Sequence, residues 1–300
     1  MNARHSYYES SARERIAGVL DENSFRELMA PAERVVSPHL QTLGLPVAFD
    51  DGVIVGEGKL DGQPVLIAAQ EGEFMGGAVG EVHGAKIVGL LERAERLASE
   101  GRAHAVVLLA ETGGVRLQEA NAGLIAVSEI MRAILAARSA GVLVLAAIGG
   151  RYGCFGGMGI AISGVDGIVM SEEGRLGLSG PEVIETASGV EEFDSRDRAR
   201  VWRTVGGKHR YLLGDCDRLV DDDIGQFRGA LSSMLEQGAG FELETVLEEH
   251  RMLSDRLQRF GKADDALDIW QDLGWTSPDE VPILDTESFL QAAQARRANS

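Results

Sequence analysis

The central part of the chain alternates short apolar runs with longer segments in which apolar residues recur every three or four positions. Short apolar runs are typical of buried strands, and the longer spacing is typical of amphipathic helices. Residues 52–60 and 63–70 are separated by Asp61–Gly62, and this arrangement predicts a β-hairpin. Residues 76–101 then predict a helix whose apolar side carries Ile87, Leu90, Leu91, Ala94 and Leu97.

The same alternation continues towards the C-terminus. Strands are predicted at residues 104–111 and 142–148 and at the start of 166–180. Helices are predicted at 118–141, with Leu124, Val127, Met131, Ile134 and Leu135 on one side, at 155–164, from Pro181, and at about 195–213, 224–238 and 244–260. Strands that alternate with helices in this way favour βαβ units and a parallel sheet.

The pattern divides the chain into three predicted regions. Residues 1–45 form an N-terminal helical and irregular segment, 46–225 form the α/β core, and 226–300 form a helical C-terminal extension. Within the first region, residues 21–29 contain Asn23 and Ser24 ahead of Glu27. An N-cap residue followed three positions later by Glu predicts a short helix there.

The composition is typical of a folded α/β protein and limits the classes of partner that the protein can bind. Hydrophobic residues make up 44% of the 300 residues, aromatic residues only 5%, and 38 residues are glycine. The net charge of −18 argues against nucleic acid as a partner. The two cysteines, Cys154 and Cys216, lack CxxC spacing, and we expect no metal site. The N-terminus has no apolar signal segment and no run is long enough to span a membrane, which predicts a cytoplasmic protein.

Two glycine-rich turns are the candidate functional feature. "TGGVR" (112–116) and "GGRYGCFGG" (149–157) each follow a predicted buried strand and precede a helix. Ligands bind beyond the carboxyl ends of parallel strands, where unpaired backbone N–H groups favour negative charge. We therefore predict an oxyanion hole built from the backbone of Gly113, Gly114, Val115, Gly149, Gly150 and Arg151.

A purely structural role for these turns is the alternative, since glycine pairs also make tight strand–helix connections. Their spacing does not match GxGxxG with a ribose-binding acid, nor the phosphate-binding GxxxxGK[ST]. In the second turn, Gly153, Gly156 and Gly157 are assigned to close packing of the next helix.

Four motifs carry a family resemblance. "FMGGAVGEVHGAKIV", "TGGVRLQEA", "GGRYGCFGG" and "GLSGPEVIE" occur in this order and cover roughly residues 21–225. They resemble carboxyltransferase β-type subunits of acyl-CoA carboxylases, whose pattern is SGGARMQE, GGVTASF and GFAGPRVIE. The resemblance implies a crotonase-like spiral of repeated ββα units, which binds acyl thioesters and holds an enolate in amide oxyanion holes.

Departures from that pattern indicate which members of the family the chain resembles most. No cysteine precedes Cys154, so an N-terminal zinc ribbon is missing, and a helical tail follows residue 225. These features resemble the β subunits of biotin-independent malonate decarboxylases. The resemblance implies a homologous γ subunit, an acyl transferase subunit, and an acyl carrier subunit with a CoA-like prosthetic group. The implied reaction decarboxylates the malonyl thioester on that carrier to an acetyl thioester, without metal or biotin.

Side chains near the turns have weaker assignments. We predict that Lys86, Arg116 and Tyr152 contact the thioester or its CoA-like arm, and that Tyr152 or water supplies the proton. Structural roles are the alternative for all three, and are favoured for Arg116, Tyr152, His83 and Cys154. The run Asp221–Asp223 predicts a helix cap rather than a metal site.

Two other functions remain open from the sequence. One is a carboxyltransferase β subunit of a biotin-dependent acyl-CoA carboxylase. The other is a non-catalytic scaffold that recruits an acyl carrier, in which the glycine turns would tolerate substitution.

Overall fold

Strand order along the chain equals strand order across the sheet. The computed structural model describes residues 5–102, 104–238 and 240–297, and within them seven strands form one sheet. The strands are β1 (Arg26–Leu28), β2 (Val53–Leu60), β3 (Gln63–Gln70), β4 (Ala105–Leu109), β5 (Val144–Ile148), β6 (Gly167–Ser171) and β7 (Arg218–Val220). Neighbours from β1 to β3 are antiparallel, and those from β3 to β7 are parallel.

The helices in the described part of the chain connect and cover these strands. They are α1 (Ala12–Val19), α2 (Glu81–Ser99), α3 (Asn121–Ser139), α4 (Gly156–Ile162), α5 (Pro181–Ser188), α6 (Arg198–Val205), α7 (Gly207–Leu213), α8 (Ile224–Leu235), α9 (Leu243–Phe260), α10 (Ala266–Asp272) and α11 (Thr286–Ala293). Short 3₁₀ helices occupy Met75–Gly77, Leu117–Glu119 and Pro278–Ile283. None of these helices has the length and apolar character needed to cross a membrane.

Both faces of the sheet are buried, which explains the continuous apolar runs. Val106 and Leu108 of β4 join the core that contains α2 and α3. Val107 and Leu109 join the opposite core, which contains α1 and α8. Successive side chains of a strand point to opposite faces, so an element covered on both sides needs apolar residues at every position.

Most predicted elements are present, and one N-terminal prediction is wrong. The hairpin and the helices after each parallel strand are confirmed. Residues 21–29 do not form a helix, since β1 lies inside them and pairs Leu28 with Val55. Asn23 has a φ of 58°, a left-handed conformation that an α-helix does not allow. The hydrogen bonds of the β2 edge therefore outweigh the local capping pattern.

A second, short row of β contacts creates the spiral. Isolated parallel bridges join Val79 to Val115, Thr112 to Cys154, and Cys154 to Leu176. Each unit therefore runs from a long strand through a short extended segment into a helix. This sequence of elements is the ββα repeat that was predicted.

The C-terminal helices pack onto the core rather than standing apart from it. The predicted helix at 195–213 is divided at Gly206, which is extended and bridges to Arg175. Trp270 of α10 and Phe289 of α11 lie in the core on the α2–α3 side. By contrast, α9 contains no buried residue. The division of the chain into three regions remains a prediction.

Candidate active site at the carboxyl ends of the parallel strands

Three loops meet at the carboxyl ends of β3, β4 and β5. We call them the β3 loop (71–80), the β4 loop (110–116) and the β5 loop (149–155). The Gly113 N–H donates to the Gly76 oxygen at 2.8 Å, and the Thr112 N–H donates to the Gly153 oxygen at 2.7 Å. The structure therefore brings the two predicted glycine turns together, because their strands are parallel neighbours.

Gly114 of the first glycine segment lies against Gly156 of the second. Their φ angles are 120° and 63°, which favour glycine. A Cβ on Gly114 would lie 3.2 Å from the Gly156 Cα, and a Cβ on Gly156 would lie 2.9 Å from the Gly114 Cα. Backbone thus packs on backbone. The facing segment is the start of α4, rather than Gly149–Gly150 at the end of β5.

The N–H groups of the β4 loop fall into two classes. Gly113 and Gly114 already donate within the chain, to the Gly76 oxygen and, at 3.0 Å, to the Thr112 Oγ1. Val115 donates to no acceptor in the described part of the chain. Of the three predicted donors in this loop, Val115 is the one whose hydrogen remains available to a ligand.

In the β5 loop, the first two glycines are required for different reasons. A Cβ on Gly149 would lie 2.7 Å from the Phe227 ring and 2.8 Å from the Tyr7 ring, so packing explains this glycine. A Cβ on Gly150 would overlap the Glu111 carboxylate. The N–H groups of Gly150 and Arg151 have no acceptor among the described residues.

The amides that open α4 are further candidate donors, and the sequence-based prediction lacked them. The N-cap residue Phe155 makes no side-chain cap hydrogen bond. The N–H groups of Gly157 and Met158 belong to the first helical turn, and within the described chain they find no acceptor. Gly157 also packs on Val127, as predicted. The signal that was available is the second glycine pair itself, which opens a helix directly after an extended segment.

Lys86 and Arg116 lie inside the protein. The Lys86 Nζ donates to the Asp50 oxygen at 2.8 Å and to the Val53 oxygen, and burial lowers its pKa. Arg116 donates to Asp51 at 2.9 Å and to Glu119 at 3.1 Å, and is fully buried. Lys86 thereby holds the loop before β2 against α2, and Arg116 holds the same loop against the β4 loop. Their placement therefore argues against direct contact with a thioester arm.

The side chains of Arg151 and Tyr152 lie at the surface of the β5 loop. Arg151 is exposed and pairs with Glu73 at 3.2 Å. The Tyr152 ring is half-buried and packs on the backbone of Gly76, with 3.8 Å to a Cβ placed there. Burial and the Glu73 carboxylate raise the pKa of Tyr152, so its hydroxyl stays protonated at neutral pH.

His83 and Cys154 have the structural roles that were favoured. Burial lowers the pKa of His83 to about 3. Its Nε2 accepts from the Gln70 amide at 3.0 Å, and its Nδ1–H donates to the Asp51 oxygen at 3.1 Å. Burial raises the pKa of Cys154 to about 12, which leaves no reactive thiolate.

Neither acidic residues nor cysteines form a metal centre in the part of the chain that the structure describes. No group of three or more His, Cys, Asp or Glu residues there could hold an ion. Asp223 caps α8 by accepting from the Gln226 N–H at 3.0 Å, which confirms the predicted cap.

Comparison with known sequences identifies relatives over most of the chain. The carboxyl transferase domain matches residues 4–229. The malonyl-S-ACP:biotin-protein carboxyltransferase MADC of Malonomonas rubra is 41% identical over 311 residues, which cover 97% of this chain and 96% of that protein. A putative propionyl-CoA carboxylase beta chain of Bacillus subtilis is 34% identical over 82% of this chain, which spans about half of that longer protein (46%).

Solved structures give the same result. A Pseudomonas malonate decarboxylase hetero-tetramer in complex with malonate contains a chain that matches with a TM-score of 0.81 and 43% identity, over 88% of this chain and 95% of that one. The Pseudomonas MdcD-MdcE hetero-dimer of the same enzyme matches with a TM-score of 0.68 and 39% identity, over 86% and 97%. The predicted crotonase-like α/β fold is thereby confirmed. The protein belongs to the carboxyl transferase domain family.

Proposed function

We propose that the protein is the β subunit of a cytoplasmic malonate decarboxylase. With a homologous γ subunit it would convert a malonyl thioester on an acyl carrier subunit into an acetyl thioester and CO2. The observation that carries this proposal is the set of unpaired backbone N–H groups around the contact of Gly114 with Gly156. The likeness to the Pseudomonas malonate decarboxylase chains supports it.

The chemistry requires stabilisation of one oxygen. When the bond between the α-carbon and the carboxylate breaks, its electron pair moves onto the thioester carbonyl and forms an enolate. Backbone N–H groups that are already oriented stabilise this charge more in the transition state than in the ground state. A proton then reaches the α-carbon and completes the acetyl thioester. None of these steps requires a metal or biotin.

The N–H group of Val115 is the first proposed donor, and that of Gly157 is the second. The contact of the two preceding glycines, Gly114 and Gly156, supports this pairing. Gly150 and Arg151 form a further pair of unpaired donors in the β5 loop. Tyr152 is the side chain of that loop proposed to contact the arm or supply the proton.

Exposed apolar side chains around these loops support a partner subunit. Six large ones lie at the ends of the β4 loop, along α3 and α4, and before and within α5, with exposed fractions from 52% to 78%: Leu117, Leu124, Ile125, Ile160, Leu178 and Val183. Apolar side chains grouped in this way mark subunit contacts. We propose that the γ subunit covers them, and that the carrier with its CoA-like prosthetic group and the acyl transferase subunit join the complex.

The Malonomonas relative supports a second candidate function. Its name describes a malonyl-S-ACP:biotin-protein carboxyltransferase, and it matches this chain over nearly its whole length. In that case the carboxyl group would pass to a biotin-bearing protein instead of leaving as CO2. The same enolate would form, so the amide donors would serve either reaction.

One assay separates these functions. The chain is combined with its γ partner and the malonyl carrier, and CO2 release is measured with and without a biotinylated acceptor protein. Release without biotin supports the decarboxylase. Consumption of the malonyl thioester only with the biotinylated acceptor, blocked by avidin, supports the transferase. No consumption in either mixture overturns both, and unchanged activity of glycine-turn variants would favour the scaffold alternative.

A further inference from the structure

The carboxylate of Glu111 lies buried where the three loops meet. The side chain is 4% exposed, and its residue directly precedes the "TGGVR" turn. Its Oε1 accepts from the Tyr152 N–H in the β5 loop at 3.1 Å. A Cβ on Gly72 would lie 2.6 Å from its Cδ, so the β3 loop also packs on it. One carboxylate thus contacts all three loops.

Two arginines complete this arrangement. Arg15 of α1 pairs with the Glu111 Oε2 from the opposite side and is 1% exposed. It is held there by the Tyr7 oxygen, which accepts from the Arg15 Nε at 2.9 Å. Arg175 donates to the Arg151 oxygen. The peptide between Arg151 and Tyr152 is therefore fixed at both ends, its oxygen by Arg175 and its N–H by Glu111.

We propose that Glu111 is a positioning residue for the reaction, acting through the peptide that it holds. It fixes the Gly150–Tyr152 backbone against the β4 loop and so orients the unpaired N–H groups of Gly150 and Arg151. Arg15 keeps the carboxylate in place and supplies the charge that balances it. This inference rests on the proposed function, since it assigns those N–H groups to the thioester.

The test must separate the hydrogen bond that Glu111 accepts from the Tyr152 N–H from the ion pair that Glu111 forms with Arg15. Glu111→Gln alone would leave Arg15 buried without a counter-charge, and breaking a buried pair at one side is strongly destabilising. Two double variants avoid that problem: Arg15→Met with Glu111→Gln, and Arg15→Met with Glu111→Met. Both remove the two charges and have similar volumes. They differ in that glutamine offers an oxygen to the Tyr152 N–H and methionine does not.

Both variants are assayed in the full complex with malonyl carrier, and amide hydrogen exchange is followed at Tyr152. We expect the double variant with Glu111→Met to have at least tenfold lower kcat than the double variant with Glu111→Gln, because a displaced donor costs transition-state stabilisation. We expect its KM to stay within twofold, its melting temperature to match, and its Tyr152 amide to exchange at least tenfold faster. If Glu111 had a purely structural role, the two double variants would differ in melting temperature but would have equal kcat per folded complex.

Equal kcat values in the two variants overturn the proposal, whatever the exchange rates. If the unmodified complex consumes no malonyl thioester, the proposed function fails independently, and the exchange rates then decide. Faster exchange in the methionine variant would still support Glu111 as the residue that holds the loop. Equal exchange would overturn it.

Discussion

At the scale of single residues, burial separates the side chains that could react from those that hold the fold. His83, Lys86, Arg116 and Cys154 are all buried, and the side chains of the first three make hydrogen bonds inside the protein. His83 precedes Ile87 by four positions, so its place on the apolar side of α2 was predictable. Asp51 as a partner of Arg116 was not, since it lies 65 residues away in the chain. What remains available for chemistry is mainly backbone.

Gly114→Ala tests the backbone assignment. The φ of 120° strains any L-residue, and the added Cβ would lie 3.2 Å from the Gly156 Cα, so the two segments must move apart. We expect kcat of the complex to fall by about 100- to 1000-fold, which is the usual cost of losing one oxyanion donor. Steady-state kinetics with the malonyl carrier measure this loss.

The matched control for this variant is Gly62→Ala in the turn between β2 and β3. Its φ is 80°, and nothing lies within 4 Å of the added Cβ. We expect a similar backbone strain of about 1 kcal/mol and an unchanged kcat. Equal activity of the two variants would remove Gly114 from the site.

At the scale of elements, α3 shows what periodicity predicts and what it misses. The predicted stripe along this helix included Leu124 and Leu135, yet they are 55% and 47% exposed. Gly84 of α2 packs against Ala126 of α3, so the two helices approach closely. Val127 and Ile134 of the predicted stripe are buried with several alanines, whereas the two leucines remain outside. A period of 3.6 residues locates a helix, but it does not say which of two apolar sides faces the core.

The C-terminal elements give a stability prediction. Phe289 of α11 is fully buried and its ring centroid lies 5.9 Å from those of Trp275 and Tyr211. We expect Phe289→Ala to lower the free energy of unfolding by about 3–5 kcal/mol. Leu257→Ala on α9 is the control, because that side chain is 74% exposed and should change the same quantity by less than about 0.5 kcal/mol. Urea titrations of both variants decide whether the extension is part of the core, and equal losses would contradict it.

At the scale of the whole molecule, the sequence predicts the fold better than the site. The alternation of strands and helices leads directly to the parallel part of the sheet. The site depends on which loops touch, and here Gly114 meets Gly156 and Gly150 meets Glu111. Those contacts follow from the short bridges Thr112–Cys154 and Cys154–Leu176, which involve single residues and leave no periodic pattern.

Two buried histidines make stability depend on pH. Burial lowers the pKa of His83 and of His209 to about 3, and the His209 Nδ1 accepts from Trp270 at 3.1 Å. The unfolded chain takes up these protons below its ordinary histidine pKa of about 6.5, whereas the folded chain does not. The free energy of unfolding should therefore fall more and more steeply as pH drops below 6.5, approaching about 1.4 kcal/mol per pH unit for each histidine near pH 5.

Urea unfolding at several pH values measures this slope, and single-residue variants show how much each histidine contributes to it. Burial raises the pKa of the carboxyls of Asp51, Glu173 and Asp217, and these groups act in the opposite direction. The His209→Gln variant keeps these carboxyl groups, so their contribution cancels when it is compared with the parent protein. The pH slope of the variant should be smaller by the contribution of one histidine. His250 is exposed, and the His250→Gln variant should keep the slope of the parent protein. Identical slopes in all three proteins would refute the assignment.

The strand order also has a consequence for biosynthesis. Because each strand from β2 to β7 pairs with the one made just before it, the sheet can grow as the chain leaves the ribosome, without waiting for distant segments. The helix α1 is the exception, since it packs against α8, more than two hundred residues later. Although α1 also packs on β2 and β3, its contact with α8 forms only after α8 has been made. Until then the part of α1 that faces α8 stays uncovered and open to chaperones.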